Sequence, residues 1–327
     1  MGRWIVKTLV QRGFSLLPRS DWWNELLQRY VTHGLRLEPE GEFRGKLLAC
    51  RKHFDYFSQT SARQKTGFDA LELGTGWFPI IPMGLYLCGA QTVWTYDVVR
   101  LLRADTFRRT LECFRVFQRT GKLFEILPAA VPERVERLTD LLERNPRTPP
   151  ETLLKELNIH AFVRDVRKAD QAQGSVDFVF SNGVLEHLSP SHLADVMGKF
   201  RVMLRPDGVM CHHVGLADQF ASFDRSITPY NFLQYSPKRW RWLDNPIIPQ
   251  NRLRHSDYVS IMERAGFEVV KEEAIPGRVE DLRRVHLARE FRSYRESDLL
   301  ILNSWLIARP HVSEANRMNR SENLLSF

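Results

Sequence analysis

The stretch from Phe68 to Gly76 constrains the fold more than any other part of the chain. It reads Phe-Asp-Ala-Leu-Glu-Leu-Gly-Thr-Gly, so a short apolar run ends in an acidic residue and two glycines follow. This pattern is typical of a buried parallel strand whose carboxyl end enters a tight loop under a nucleotide-like ligand. Gly74 and Gly76 lack a Cβ, which lets the backbone approach a ligand or take a positive φ. Glu72 is expected to direct its carboxylate at a cationic or hydroxyl group above the loop.

Further stretches with strand patterns follow in an informative order. Residues 91–97 predict a second strand that ends in Asp97, about twenty residues on, where a ribose diol would be bound. Residues 160–165 predict a short third strand, and residues 175–182 predict a buried fourth strand. Leu-Arg-Pro-Asp-Gly at 204–208 then indicates a helix end and a turn into a fifth strand. Residues 267–271 and 298–307 are expected to form the sixth and seventh strands.

These stretches together resemble the class I S-adenosylmethionine-dependent methyltransferases, in the branch called methyltransferase type 11/23. The similarity includes the Ser-Asn-x-x-x-Glu-His run at 181–187 and the Leu-x-Pro-x-Gly turn, and it covers roughly residues 65–310. The resemblance implies an α/β fold with a Rossmann-like, mostly parallel sheet of seven strands. Their order would be 3-2-1-4-5-7-6, with the last strand antiparallel. It also implies an enzyme that uses S-adenosyl-L-methionine as its cofactor.

The resemblance also implies a set of cofactor-binding residues. Glu72 would orient the amino-acid end of the cofactor through the loop, and Asp97 would accept both ribose hydroxyls. Asp165 would face the adenine, although it could instead cap the next helix, and Asn182 would lie beside the methionine portion. The complete set is Glu72, Gly74, Thr75, Gly76, Asp97, Asp165 and Asn182.

The general base is less sharply defined, and four residues are candidates for the catalytic group: His187, His212, His213 and Asp218. His212 and His213 end the fifth strand, and strand alternation turns them to opposite faces, so at most one should see the site. Asp218 could orient that histidine. An ordinary histidine pKa of about 6.5 suits a proton acceptor for a hydroxyl. A packing or surface role is the alternative for each histidine. No metal ion is expected.

The chain is expected to divide into a helical N-terminal cap over 1–66, a catalytic domain over 67–310 and a flexible tail over 311–327. The cap would contain two helices within 1–37 and a third over 43–66, in which His53 is interpreted as a surface or packing residue. A helix is predicted from about 98 to 119. Residues 121–160 form a helical insertion that could be a lid or an oligomer contact.

Residues 215–254 are expected to form the acceptor-side segment, since a long irregular loop in a compact domain is usually functional. Its aromatic, amide and arginine residues suit a polar ring such as a sugar, with Trp240 and Trp242 as stacking candidates. The favoured function is therefore O-methylation of a small-molecule acceptor, a sugar or another glycan or natural-product intermediate.

Composition limits the other functions. The net charge of +8 is spread through the chain without a block of basic residues, which favours a solvated basic surface over a nucleic-acid footprint. Four cysteines lie far apart in sequence, which favours reduced thiols in the cytosol. Peripheral membrane contact through the N-terminal helices is an alternative to packing on the catalytic domain. The oligomeric state is not predicted.

Three other functions stay open. A nucleic-acid methyltransferase is disfavoured because the fourth strand ends in Ser-Asn-Gly-Val and lacks the Asn/Asp-Pro-Pro-Tyr/Phe run that holds an exocyclic base amine. A cofactor-binding partner without turnover is the second alternative. A nicotinamide-dependent dehydrogenase is the third, and Pro79 stands where its third glycine would be.

Overall fold

One sheet organises the part of the chain that the computed structural model describes, which is residues 37–62, 65–245 and 249–311 with Trp4 and Thr8. Its strand order is β3-β2-β1-β4-β5-β7-β6, and β7 runs antiparallel to both neighbours. The strands are β1 (Asp69–Leu73), β2 (Thr92–Asp97), β3 (Ile159–Val163), β4 (Val176–Asn182), β5 (Leu204–Gly215), β6 (Phe267–Pro276) and β7 (Ile301–Pro310). The predicted sheet order is confirmed.

Helices cover both faces of the sheet. The α-helices of the described residues are α1 (Arg44–Thr60), α2 (Ile80–Leu87), α3 (Ala104–Arg119), α4 (Lys122–Ile126), α5 (Pro132–Thr139), α6 (Pro150–Glu156), α7 (Pro190–Met203), α8 (Pro237–Leu243), α9 (His255–Arg264), α10 (Val279–Arg283) and α11 (Glu296–Leu299). A π-helical turn, Pro39–Phe43, leads into α1. Ser189 caps α7 by accepting a hydrogen bond from the N–H of His192, as the sequence predicts.

Strand alternation divides the core between the two faces. Phe178 and Phe180 of β4 point to the face covered by α1, where Phe57 lies 4.9 Å from the ring of Phe178. Val179, between them, points to the opposite face and joins the cluster that contains Phe200 of α7. The sheet therefore has an α1 face and an α7 face, and each strand residue belongs to one of them.

Helix α1 packs on the α1 face of the sheet because one side of the helix is apolar. Leu47, Cys50 and Phe57 are fully buried there. Near its start, Lys46 Nζ lies 5.6 Å from the ring of Phe78, just after β1. Near its end, Phe57 packs 4.6 Å from Phe68, just before β1. The helix thus runs alongside β1, from beyond its carboxyl end to its amino end.

The helical insertion over 121–160 packs as part of the core. Its Leu123, Leu138 and Leu154 are fully buried in the cluster of the α1 face. The guanidinium of Arg134 donates hydrogen bonds of 2.6 Å to the carbonyls of Tyr86 and Ala90, at the end of α2. The insertion is therefore tied to backbone carbonyls at and just beyond the end of α2.

Several predicted boundaries are wrong, and β5 begins at Leu204, within the stretch that the sequence predicts as a turn. The helix after β2 begins at Ala104 and not at 98, because the Asp97 carboxylate accepts the N–H of Val99 and holds the preceding residues in a turn. Helix α1 ends at Thr60. Strand β7 begins at Ile301, since α11 occupies 296–299, whereas β6 extends to Pro276.

The predicted irregular segment over 215–254 contains short 3₁₀ turns and one helix, α8. It packs in a third apolar cluster with Trp4, whose ring lies 5.6 Å from that of Phe220 and whose N–H donates to Asp224 at 3.0 Å. The other residues of the predicted N-terminal helices, and the predicted tail beyond 311, lie outside the described residues. Among the described helices, none has the length and apolarity needed to cross a membrane.

We predict that packing of the insertion contributes to the free energy of unfolding of the domain. Leu138→Ala should lower the free energy of unfolding by about 2–5 kcal/mol, because it leaves a cavity at a fully buried position. Leu48→Ala is the matched control, since Leu48 on α1 is 41% exposed and should cost less than about 0.5 kcal/mol. Urea unfolding followed by circular dichroism measures both. Equal losses in the two variants would contradict the packing of the insertion.

Candidate functional site

Two glycines after β1 form the loop at the centre of the site. Gly74 has φ +91° and Gly76 has φ +63°. A Cβ on Gly74 would lie 2.4 Å from Cγ2 of Val184. The backbone N–H of Gly74 donates a hydrogen bond of 2.8 Å to the carbonyl of Tyr96. A Cβ on Gly76 would meet no described heavy atom within 4 Å. The loop is therefore clamped at Gly74, and its backbone faces open space at Gly76.

Asp97 connects the end of β2 to this loop. One carboxylate oxygen accepts the N–H of Gly76 at 3.0 Å and the other accepts the N–H of Val99 at 3.1 Å. Burial raises the pKa of Asp97, while these backbone hydrogen bonds oppose the shift. A carboxylate has about four acceptor positions, so Asp97 keeps capacity for further hydroxyl donors.

Glu72 lies beneath the loop and is buried. Its carboxyl accepts a hydrogen bond of 2.5 Å from Thr95 Oγ1, which in turn lies 2.6 Å from Thr75 Oγ1. Burial raises the pKa of Glu72 to about 8, and the hydrogen bond from Thr95 and the charge of Lys46 oppose it. Glu72 therefore supports the loop through a chain of two hydroxyl groups.

A cavity of about 260 Å³ opens at the carboxyl ends of β1, β2 and β3. Gly74, Asp97 and Asp165 contribute to its wall. Most of the remaining wall is apolar and comes from Leu73, Val166, Val184, Leu188 and Val196. An apolar wall beside a carboxylate suits a flat ring joined to a group with hydroxyls.

Asp165 caps the 3₁₀ turn that follows β3, which is the alternative that the sequence left open. Its carboxylate accepts the backbone N–H of Arg167 at 2.9 Å and pairs with the Arg167 guanidinium at 2.6 Å. The hydrogen bond from the Arg167 side chain lowers the pKa of Asp165. Asp165 lines the cavity, but its carboxylate is already engaged.

These groups fit S-adenosyl-L-methionine. The apolar part of the cavity would take the adenine ring, and the remaining acceptor capacity of Asp97 would bind the ribose hydroxyls. The open space above Gly76 admits a ligand against bare backbone. The predicted residues Gly74, Asp97 and Asp165 come together here, and Glu72 and Thr75 support them from below.

Asn182 and His213 lie side by side on the α1 face. They are register partners in the parallel pairing of β4 with β5. Asn182 Oδ1 and His213 Nδ1 are buried and have no hydrogen-bond partner among the described residues. Burial, followed by the charge of Lys52, lowers the pKa of His213 and favours its neutral form. His213 is only partly buried, so it combines a neutral imidazole with access from outside.

His212 points to the α7 face, as strand alternation predicts. It is fully buried, its Nδ1 lies 2.8 Å from Ser181 Oγ, and its ring stacks on Phe200 at 5.9 Å. Burial lowers the pKa of His212 to about 3. The structure thus separates His212 from the groups of the α1 face and gives it a packing role.

The other two catalytic candidates hold loops together. His187 Nδ1 lies 2.8 Å from the carbonyl of Pro249. Asp218 accepts hydrogen bonds from the N–H of Phe220 at 2.8 Å and from the Asn231 side chain at 2.9 Å. Burial raises the pKa of Asp218 to about 6. The Asp218 carboxylate is thus engaged by Phe220 and Asn231, and none of its described hydrogen bonds goes to His213.

His53 takes the packing position that the sequence interpretation gave as one of two alternatives. It is fully buried on α1, and its ring lies 5.4 Å from Phe180 and 4.9 Å from Trp305. Burial and then the neighbouring His213 lower the pKa of His53 well below its usual range. The sequence carried one signal of this position, because His53 follows Cys50 by three residues on the apolar side of α1.

No group of three or more histidine, cysteine or acidic side chains within the described residues is arranged to hold a metal ion.

Comparison with known proteins gives a family match and distant structural similarities. The family model described as "Methyltransferase domain" matches residues 44–272. No curated protein matches the chain. Geranyl diphosphate C-methyltransferase from Streptomyces coelicolor is 11% identical with a TM-score of 0.45, over 79% of this chain and 78% of that one. Magnesium protoporphyrin IX methyltransferase from Synechocystis is 11% identical with a TM-score of 0.43, over 81% and 83%.

We predict that Asp97 contributes more to cofactor binding than Asp165 does. Asp97→Asn should weaken binding of S-adenosylhomocysteine about 10- to 100-fold, since hydrogen bonds to a charged acceptor are worth about 1.5–3 kcal/mol. Isothermal titration calorimetry measures the dissociation constant.

Asp165→Asn is the matched control. It should change the dissociation constant less than about threefold, because the Asp165 carboxylate is already paired with Arg167. A large loss in Asp165→Asn together with unchanged binding in Asp97→Asn would contradict this division of roles.

Proposed function

The chain belongs to the methyltransferase-domain family, and on that premise we propose that it methylates a hydroxyl group of a small-molecule acceptor. The enzyme is an S-adenosylmethionine-dependent methyltransferase. The proposed acceptor is a sugar or another glycan or natural-product intermediate. The observation that carries the proposal is His213 at the carboxyl end of β5, a partly accessible side chain whose Nδ1 has no partner among the described residues and whose pKa is lowered by burial.

When bound, S-adenosyl-L-methionine supplies a methyl group activated by a sulfonium, and the carbon–sulfur bonding pair stays on sulfur after transfer. Asp97 and the Gly74–Gly76 loop would hold the adenosyl part. Alignment of the two reactants is worth about 7–11 kcal/mol, whereas a general base adds about 10²–10⁴-fold. The cofactor-binding groups should therefore matter more to the rate than the base.

His213 is the proposed general base. A hydroxyl that attacks a methyl carbon must lose its proton, and a neutral imidazole nitrogen accepts it. Nδ1 of His213 has no partner among the described residues, so this atom can accept without breaking a hydrogen bond. His212, His187 and Asp218 are engaged elsewhere, and we do not retain them as catalytic groups.

Of the two tryptophans that are stacking candidates in the acceptor-side segment, one supports binding of a ring-shaped acceptor. Trp240, a stacking candidate in the sequence, is buried, and its indole N–H donates to the carbonyl of Gln250 at 3.1 Å. It is therefore a core residue. Trp242 is 67% exposed on α8 and keeps a ring surface that a ligand could meet.

A labelled-methyl assay tests this function. Methyl glycosides, alkyl alcohols, phenols and a primary amine are offered with radiolabelled S-adenosylmethionine, and mass spectrometry identifies the methylated atom. Transfer to a hydroxyl of a glycoside is the expected result. Transfer to the amine or to carbon would overturn the proposal. A DNA oligonucleotide in the same assay, at low and high salt, tests the nucleic-acid alternative.

We predict an activity profile that stays high at mildly acidic pH. The base must be neutral, and burial holds the pKa of His213 below about 6.5, so kcat/KM should fall only below that pH. Lys52→Gln should move this acid limb to higher pH, because the charge of Lys52 lowers the pKa of His213 and Glu273 would lose its partner 2.6 Å away.

Lys122→Gln serves as the control for the pH profile. Lys122 pairs with Glu40 at 2.5 Å on the insertion, away from His213, and its removal should leave the acid limb in place. The same displacement in both variants would assign the effect to net charge and would contradict His213 as the titrating base.

A further inference from the structure

Four of the buried polar atoms without partners belong to three residues on the α1 face. They are both ring nitrogens of His53, Asn182 Oδ1 and His213 Nδ1, none of which makes a hydrogen bond of good geometry among the described residues, although the Asn182 side chain is near enough to His53 to oppose the lowering of its pKa. We call His53, Asn182, His213 and Trp305 the imidazole socket. Buried polar groups are nearly always hydrogen-bonded in folded proteins, so several orphans together need an explanation.

Trp305 brings the two imidazoles of the socket together. The ring of His53 lies 4.9 Å from the Trp305 ring at 62°, and the ring of His213 lies 4.7 Å from it at 39°. His53 comes from the helix above the sheet, and His213 and Trp305 are register partners on β5 and β7. Helix α1 and the sheet beneath it thus place the two imidazoles against the same indole ring.

Charged groups stand at the outer side of the socket. Lys52 Nζ lies 4.7 Å from the Trp305 ring and 2.6 Å from Glu273. Tyr56 also donates a short hydrogen bond to Glu273. Lys52 and Tyr56 thus join α1 to Glu273 on β6. Because these three side chains are paired with one another, the nitrogens of the socket are the polar groups that remain for a ligand.

From these contacts we propose that His53 is a substrate-contacting residue, and that the imidazole socket binds the acceptor hydroxyl between His53, Asn182 and His213. This inference rests on the proposed hydroxyl methylation and names the groups that recognise its substrate. A hydroxyl has one proton to donate and lone pairs that accept, so it can donate to His213 and accept from the ring N–H of a neutral His53, beside Asn182. Its oxygen forms the bond to the methyl carbon, the carbon–sulfur pair stays on sulfur, and its proton moves to His213.

His212 shows what a histidine with a structural role looks like in this chain. It is as deeply buried as His53, yet its Nδ1 has a partner in Ser181 at 2.8 Å. The two residues therefore form a matched pair of buried imidazoles: His212 has one partnered nitrogen, Nδ1, and an unpartnered Nε2, whereas neither nitrogen of His53 has a partner among the described residues. Replacement by phenylalanine removes the nitrogens of each and keeps an aromatic ring.

Thermal unfolding of the purified protein without ligands is the first test. His53→Phe should leave the melting temperature unchanged or raise it by about 2–4 °C, because it replaces unpartnered polar atoms by an apolar ring among Phe178, Phe180 and Trp305. His212→Phe should lower it, since Ser181 loses its partner. His53→Leu guards against overpacking by the larger ring. Equal destabilisation by all three variants would show that the His53 nitrogens have partners and would overturn the socket.

Methyl transfer to the glycoside that serves best in the acceptor panel is the second test. His53→Phe should lower kcat/KM at least tenfold, while the dissociation constant of S-adenosylhomocysteine stays within about threefold of wild type. His53→Gln keeps a donor and an acceptor and should recover most of the rate. A kcat/KM within threefold of wild type in both His53→Phe and His53→Leu would overturn the role of His53.

The two tests separate the failure of this inference from the failure of the proposed function. A wild-type protein that binds S-adenosylhomocysteine but methylates no hydroxyl in the panel refutes the proposed function, and thermal unfolding then decides the socket alone. A wild-type protein that methylates a glycoside, with His53→Phe equally active, refutes the socket and leaves the function in place.

Discussion

The parallel pairing of β4 with β5 is the constraint on which the site depends. In its register Asn182 faces His213, and Ser181 faces His212. Because successive side chains of a strand point to opposite faces, this register gives the α1 face an amide beside an unpartnered imidazole. It gives the α7 face a hydroxyl hydrogen-bonded to the other imidazole. A shift by one residue would exchange the two histidines and bury the accessible one.

The end of β4 also separates the two halves of the site. The cavity with Asp97 is lined mainly by side chains of the α7-face cluster, including Leu73 and Val196. The imidazole socket lies on the α1 face. Val184, two residues beyond Asn182, clamps Gly74, where a Cβ would lie only 2.4 Å away. The turn after β4 thus fixes the glycine loop relative to the strand that carries Asn182, and the geometry of one half constrains the other.

Much of this arrangement could be predicted from local sequence. The first five strands are recognisable as apolar runs that end in acidic residues or glycines, and the opposite orientation of His212 and His213 follows from strand period alone. Other features depend on contacts between residues distant in sequence. His53 reads as one histidine on an amphipathic helix until α1 is placed over Phe180 and Trp305. The burial of Trp240 likewise depends on its hydrogen bond to Gln250, across a loop. The role of Asp165 cannot be decided from sequence, because a helix cap and a ligand contact would use the same carboxylate.

The unpartnered atoms of the α1 face have a physical cost that the surrounding core must offset. Each buried donor or acceptor without a partner costs about 1–3 kcal/mol, a sizeable fraction of the stability of a typical domain. Phe57, Phe178 and Phe180 pack around this region with ring separations near 5 Å, and burial of such side chains contributes about 1.5–3 kcal/mol each. An aromatic core of this kind can hold polar atoms in place without satisfying them, so that a ligand hydroxyl meets groups that are already desolvated. A ligand that supplies the missing hydrogen bonds would therefore bind more tightly, because the desolvation cost of the imidazoles has already been met in folding. The aromatic packing and the imidazoles thus belong to one functional unit.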